Sequence, residues 1–346
     1  MKKTLLGTLT LLLVLFTACH NSTKTATQPC TVTEGNYALA ESQIIFKDYM
    51  TKIASATQTN GMGVFMHNRQ APDPNDKTIV RINFDTRYSF ALLDLTEEAT
   101  LVMPETNGRY QSAWFVTEEH YNPMAINQPG TYKINEKNMG CKYVMVAIRT
   151  QVNMQDPEDM EAVTKLQDAI QLTQKDRGHY APSQEWKMDE VLAMRQKYQK
   201  TTEEQHITPD KMFGKKGEVA LLPHNCGVAY GWGGFTQDQA VYLTYTPVQD
   251  TPCTLTLKDV PIADNAFWSI TIYDKDGYPH EAPFNINSRF VKNNVDGSAT
   301  IHFGGDPQAD NYMHIFEGWT FVLRMYLPQK AYFEGLWQKP ELVRNP

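Results

Sequence analysis

The chain has 346 residues, more than one typical core holds, so two domains are the prior expectation. Hydrophobic residues at 41% and charged residues at 21% exclude a disordered chain, and the 11% aromatic share suits an all-β core. The net charge of −7 argues against nucleic acid or anionic lipid as the main partner.

At the amino terminus Lys2 and Lys3 precede an apolar run from Leu5 to Phe16 that is too short to span a bilayer as an ordinary helix, so residues 1–18 read as a secretory signal. The run ends in Phe16-Thr17-Ala18-Cys19, which resembles a bacterial lipoprotein signal, although an aliphatic residue is commoner where Phe16 stands. That resemblance implies cleavage before Cys19, acylation of its thiol with palmitate-like chains, and a membrane anchor at the cell envelope, the outer membrane in preference to the inner. A plain signal peptide with an incidental cysteine is the alternative. Loss of Lys2 and Lys3 from the 32 basic residues, against 39 acidic ones, moves the net charge to about −9. Residues 19–36 read as a tether. Cys30, Cys141, Cys226 and Cys253 remain; their even number is compatible with one or two disulfides, and their spacing fits no zinc pattern. Cysteines in strand-like runs, as at Cys141 and Cys253, are also often small buried hydrophobes.

From Tyr37 to Ala56 the apolar positions Leu39, Ile44, Ile45, Phe46, Tyr49, Met50 and Ile53 predict one helix, ending near Asn60-Gly61-Met62-Gly63. Short β-rich runs then follow at Thr78–Phe84, Tyr88–Leu93, Thr100–Met103, Tyr110–Thr117, Gly130–Ile134 and Lys142–Arg149, a spacing that predicts a sandwich or jelly roll. Between Asp156 and Lys200 the strands stop. Two amphipathic helical patterns, one with Met160, Val163, Leu166 and Ile170 and one with Trp186, Met188, Val191, Leu192, Met194 and Tyr198, predict a helical connector.

A boundary near Thr202–Gln205 divides the chain into residues 37–205 and 206–346. Beyond it, strands are expected at Val219–Leu222, Val228–Tyr230, Ala240–Tyr245, Thr254–Leu257, Phe267–Tyr273, Ala299–Phe303 and Trp319–Leu327. Alternation puts Trp268, Ile270 and Ile272 on one face of their strand, and Trp319, Phe321, Leu323 and Met325 on one face of theirs, with Arg324 and Tyr326 on the other. Asp274-Lys275-Asp276-Gly277 is a turn rather than a calcium loop, because the later acidic ligands are missing.

No Gly-x-Ser-x-Gly, His-Glu-x-x-His or Gly-x-x-x-x-Gly-Lys occurs, which lowers the prior for common hydrolase and P-loop chemistry. His224, His280, His302 and His314 have no spacing that aims two rings at one point, so neither a metal nor a cofactor is expected. The polar groups hardest to assign a structural role are Asp85, Arg87, Tyr88, Arg109, Tyr110, Arg149, Arg324 and Tyr326. A buried arginine must find an anion or carbonyls, so ion pairs at strand ends are one reading. The other is a polar pocket in which arginines hold a small anionic ligand and phenols orient it, with Asp85, Tyr88, Arg109, Tyr110, Arg149, Arg324 and Tyr326 as its residues. Aromatic residues around Tyr230-Gly231-Trp232-Gly233-Gly234 read as ordinary loop packing, or as a rim of that pocket.

Ten short motifs in order carry a resemblance. Asp85-Thr86-Arg87-Tyr88-Ser89, Leu93-Asp94-Leu95, Gly108-Arg109-Tyr110, Gly130-Thr131-Tyr132 and Arg149-Thr150 resemble the domain of unknown function 1254. Phe267-Trp268-Ser269, Tyr273-Asp274, Asp296-Gly297-Ser298, Arg324-x-Tyr326-x-Pro328 and Gly335-x-Trp337-x-x-Pro340 resemble the domain of unknown function 1214, with which the first is paired in bacteria. Asn311-Tyr312-Met313-His314 departs from the Asn-Trp-Leu-Pro common there. The resemblance implies a mainly β protein of two jelly-roll-like antiparallel sandwiches and implies no catalytic residue. The expectation is therefore a lipid-anchored envelope protein that binds a small or anionic ligand between its sandwiches, with homo-oligomers compatible. A hydrolase or other enzyme using the inter-domain cleft is the alternative.

Overall fold

In the computed structural model residues 28–77, 80–246 and 250–344 are described; the expected signal, Cys19 and the tether up to residue 27 lie outside them. The first half runs α1 (Tyr37–Thr57), β1 (Met66–His67), β2 (Thr86–Asp94), β3 (Ala99–Met103), β4 (Gln111–Thr117), β5 (Ala125–Ile126), β6 (Gly130–Ile134), α2 (Glu136–Met139), β7 (Tyr143–Gln151), α3 (Pro157–Asp168), β8 (Gln171–Gln174) and α4 (Met188–Glu204). The second runs α5 (Leu221–Gly231), β9 (Ala240–Tyr245), β10 (Cys253–Leu257), β11 (Trp268–Tyr273), β12 (Asn285–Asn287), β13 (Ala299–Phe303), β14 (Tyr312–Met313), β15 (Thr320–Tyr326), α6 (Lys330–Phe333) and β16 (Val343–Arg344).

The strands form four sheets, so the protein is mainly β. Strand order β1-β2-β7-β4-β5 faces β6-β3-β8, and Leu93, Ala113, Phe115, Val146 and Ile148 of the former meet Leu101, Met103 and Ile134 of the latter in one core. In the second half β12-β11-β15-β9 faces β14-β13-β10-β16, with Trp268, Ile270, Phe321 and Leu323 packed on Leu255, Ile301 and Phe303. Each half is a sandwich, and the alternation of its strands decides which side chains it encloses.

The β2, β7, β4 sheet is covered on its other face as well. Phe46 and Ile53 of α1 pack there on Leu92 and Met145, while Tyr110, Trp114 and Val116 meet Phe235, Ala240, Phe267 and Tyr326 from the second half. Strands β4, β7, β11 and β15 are buried at every position for this reason, and their polar side chains must find partners inside.

Three stretches depart from their sequence expectation. Val219–Leu222 and Val228–Tyr230 are not strands: the segment forms α5, whose buried Cys226 and Val228 join Tyr37, Ala40, Val191 and Tyr198 of α1 and α4. Short apolar runs do not distinguish a buried helix from a strand, and here the helical neighbours decide. Within Thr78–Phe84, residues 80–84 form turn and coil, because their backbone serves the second half rather than a ladder: Arg81 N–H donates to Gly277 O, and Ile82 O accepts from Tyr273 Oη. The connector is also not free of strands, since β8 pairs with β3 and Ile170 lies past the end of α3. Cys30, Cys141, Cys226 and Cys253 are free thiols, with Cys226 and Cys253 in separate cores.

Candidate functional site

Register places Tyr88, Arg149 and Ser112 in one row across β2, β7 and β4, and Ser269, Arg324 and Tyr242 in one row across β11, β15 and β9. Both rows lie on the faces turned toward the other half. The two sandwiches therefore bring one strand arginine each to their junction.

The arginines meet different surroundings. Arg324, 3% exposed, donates to Thr271 Oγ1 (2.9 Å), Tyr273 Oη (2.6 Å) and Arg81 O (3.2 Å), and lies 3.8 Å from Asp85. Asp85 is fully buried and accepts from Ser269 Oγ at 2.6 Å and Asn285 Nδ2 at 2.7 Å. Burial pushes its carboxyl above the ordinary range, and Arg324, Ser269 and Asn285 offset part of that rise. Because a guanidinium does not deprotonate in proteins, Asp85 is its counter-ion, and the pair ties the first half to the second. Tyr326 also bridges the halves, accepting from Asn83 Nδ2 at 2.8 Å and stacking on Phe267. Tyr110 packs 5.2 Å from Tyr326 and donates to Ser112 Oγ at 2.9 Å.

Arg149 is only 9% exposed, yet among the described residues its side chain makes no hydrogen bond and no ion pair. Its guanidinium carbon lies 3.5 Å over the Phe235 ring and 5.3 Å from that of Tyr88. Nε is sealed off without a partner, whereas the terminal nitrogens are not among the sealed atoms. Burial works against its charge, while the phenols of Tyr88, Tyr242, Tyr110 and Tyr326 favour it, with a net upward shift. Among the described residues Tyr88 Oη and Tyr242 Oη carry no hydrogen bond, and Tyr242 is 43% exposed, so the cluster opens to solvent on that side. Burial pushes Tyr242, Tyr110 and Tyr326 upward, which keeps them as O–H donors at neutral pH.

Of the residues singled out from the sequence, Asp85, Tyr88, Tyr110, Arg149, Arg324 and Tyr326 come together at this junction. Arg109 does not: it pairs with Asp159 of α3 through both carboxylate oxygens and donates to Gln151 O at 2.7 Å. Arg87 likewise holds α3, donating to Met160 O and Thr164 Oγ1 at 2.8 Å each. Sequence reasoning missed Tyr242, Ser112 and Phe235. Alternation along β9 could have supplied Tyr242, whose neighbours Val241 and Leu243 face the core, whereas Phe235 lies in no periodic pattern.

The loop behind Phe235 is pinned. Trp232 Nε1 donates to Ser42 Oγ at 3.0 Å, and Gly233 N–H donates to His120 Nε2 at 2.9 Å. A separate open groove of about 580 Å³ runs along the seam between the halves, lined by Asn127, Gln128, Tyr132, Asp238, Asn265 and Gln329 among others, and does not reach Arg149. Ser112 has no imidazole or carboxylate hydrogen-bonded to it among the described residues, so it is not set up as a nucleophile.

A family described as protein of unknown function (DUF1254) matches residues 62–174, and one described as protein of unknown function (DUF1214) matches residues 249–330. The chain joins a DUF1254 domain to a DUF1214 domain. No curated protein matches it. A crystal structure of a Vibrio parahaemolyticus protein superposes with a TM-score of 0.60 at 15% identity, covering 91% of this chain and all of that one, and shares its β fold. An uncharacterized Burkholderia cenocepacia protein aligns at 12% identity and a TM-score of 0.48, over 90% of this chain and 88% of its own. Arg149 and Tyr88 belong to the DUF1254 region, Arg324 and Tyr326 to the DUF1214 region, and Phe235 and Tyr242 to the segment between them.

Proposed function

We propose that this DUF1254–DUF1214 protein binds a small anionic ligand where its two sandwiches meet, with Arg149 as the counter-charge. One observation carries the reading: Arg149 is 9% exposed, and its guanidinium has no anion or carbonyl hydrogen-bonded to it among the described residues. An unpaired charge in that position costs several kcal/mol, roughly, unless a ligand offsets it. Arg324, with Asp85 beside it, is already compensated and acts as a strut.

The protein would do this tethered to the envelope through acylated Cys19, a placement that rests on Phe16-Thr17-Ala18-Cys19 alone. Metabolic labelling with a fatty acid that marks the wild type and not Cys19→Ala supports the anchor; an unlabelled wild type removes it.

The binding claim is tested by thermal shift against acetate, benzoate, phosphate and sulfate. A ligand that binds the folded state raises Tm in proportion to the logarithm of its concentration over Kd. The expected result is anion-dependent stabilisation of the wild type that disappears in Arg149→Met. No shift with any anion, or the same shift in the variant, overturns the reading.

A further inference from the structure

We infer that the Arg149 site takes a singly charged carboxylate, held edge-on along the guanidinium plane, with the phenols of Tyr88 and Tyr242 as its additional donors. The inference rests on the anion-binding reading above and adds the chemistry of the ligand.

Charge is the first argument. Each sandwich brings one buried strand arginine to this cluster, Arg149 and Arg324, and Arg324 is committed to Asp85, Thr271, Tyr273 and the Arg81 carbonyl. Of these two charges that of Arg149 remains, so a monoanion balances it, whereas a phosphate dianion would leave a negative charge uncompensated beside the aromatic rings.

Shape is the second. All five N–H bonds of a guanidinium lie in its plane. Phe235 covers one face at 3.5 Å and the Tyr88 ring lies 5.3 Å away, so hydrogen bonds are made at the in-plane edge. A flat carboxylate can present both oxygens there, while a tetrahedral anion directs further oxygens out of the plane toward aromatic faces, whose π clouds are negative. The phenols complete the argument. Tyr88 Oη and Tyr242 Oη have no partner among the described residues, and register puts Tyr88 directly beside Arg149. Tyr242, 43% exposed as a residue, gives the organic part of the acid a surface on the solvent side.

The test is calorimetric titration of the purified protein, at pH 7 and matched ionic strength, with sodium acetate, sodium benzoate and inorganic phosphate. The carboxylates should bind at least about tenfold more tightly than phosphate, and Arg149→Met should cost at least about tenfold in their affinity. Tyr242→Phe, which removes a hydroxyl with no hydrogen bond among the described residues, should weaken carboxylate binding by about tenfold with Tm unchanged, and it keeps the test alive if Arg149→Met fails to fold. Arg149-dependent phosphate binding without carboxylate binding overturns the carboxylate inference and leaves the anion site standing. Binding of neither class, or carboxylate binding indifferent to Arg149, overturns both.

Discussion

Asp85 of the first half lies 3.8 Å from Arg324 of the second, with both side chains closed off from solvent. The pair links two sandwiches that have separate cores, since each charge has its compensation across their junction. Ser269, Asn285, Thr271 and Tyr273 satisfy the remaining hydrogen-bonding capacity, so the arrangement is a closed network rather than an open pocket.

Removing one side of that network exposes its worth. Arg324→Met keeps most of the volume and orphans Asp85, so stability should fall by ~3–5 kcal/mol. Urea denaturation measures it. A change under about 1 kcal/mol would mean that the junction is wetter than its geometry implies, and that Asp85 finds water when the guanidinium is gone.

The two strand arginines show where sequence reading stops. Alternation puts Arg324 opposite Phe321, Leu323 and Met325, as in the structure, whereas Arg149, expected at the end of its β-rich run, lies inside β7, which continues to Gln151 between β2 and β4. Helix α1 and strands β6 and β13 are equally legible, because each has a clear period and a turn at its end. Which arginine is paired is not legible, since the deciding residues, Asp85 for one and Phe235 for the other, come from coil segments that no periodicity marks. Helix α5 was hidden for a related reason: its apolar run is short, and the helices that favour it are supplied by residues far away in the chain.

Trp268 tests the second core. It is 6% exposed on the face of β11 that packs with Phe321, Leu323 and Met325. Trp268→Ala should cost about 3–5 kcal/mol, the range for emptying a large aromatic site. Equilibrium unfolding that shows less than about 1 kcal/mol would mean that the face is not closed.

Gly234 tests the loop that carries Phe235. A Cβ built there would stand 2.3 Å from Cζ of Phe213, a rigid ring, so Gly234→Ala must displace one of them. Overpacking of this kind costs about 1–3 kcal/mol. Because Phe235 follows immediately, the same variant should alter anion binding at Arg149, and crystallography or titration of the variant would read it. Unchanged binding would detach the loop from the site.

Acid should loosen the same region. Burial holds His120 well below its ordinary pKa, with nearby His224 adding to the effect, and it holds His224 down as well. Burial, with help from Arg69, lowers His67 to about 4. Each imidazole therefore binds its proton more readily in the unfolded chain, where the ordinary value is about 6.5. The stability they contribute is fully present above about pH 6.5 and is lost as pH falls from there toward the folded values, through about pH 4 for His67. His120 is the informative one. Its Nε2 accepts from Gly233 N–H, and a proton placed on that nitrogen would set two donors against each other and release the loop bearing Phe235. His120→Gln retains an acceptor for Gly233 and does not titrate, so its Tm should fall less steeply than the wild type between pH 6.5 and 4. Superimposable pH profiles of wild type and variant would remove His120 from the acid response.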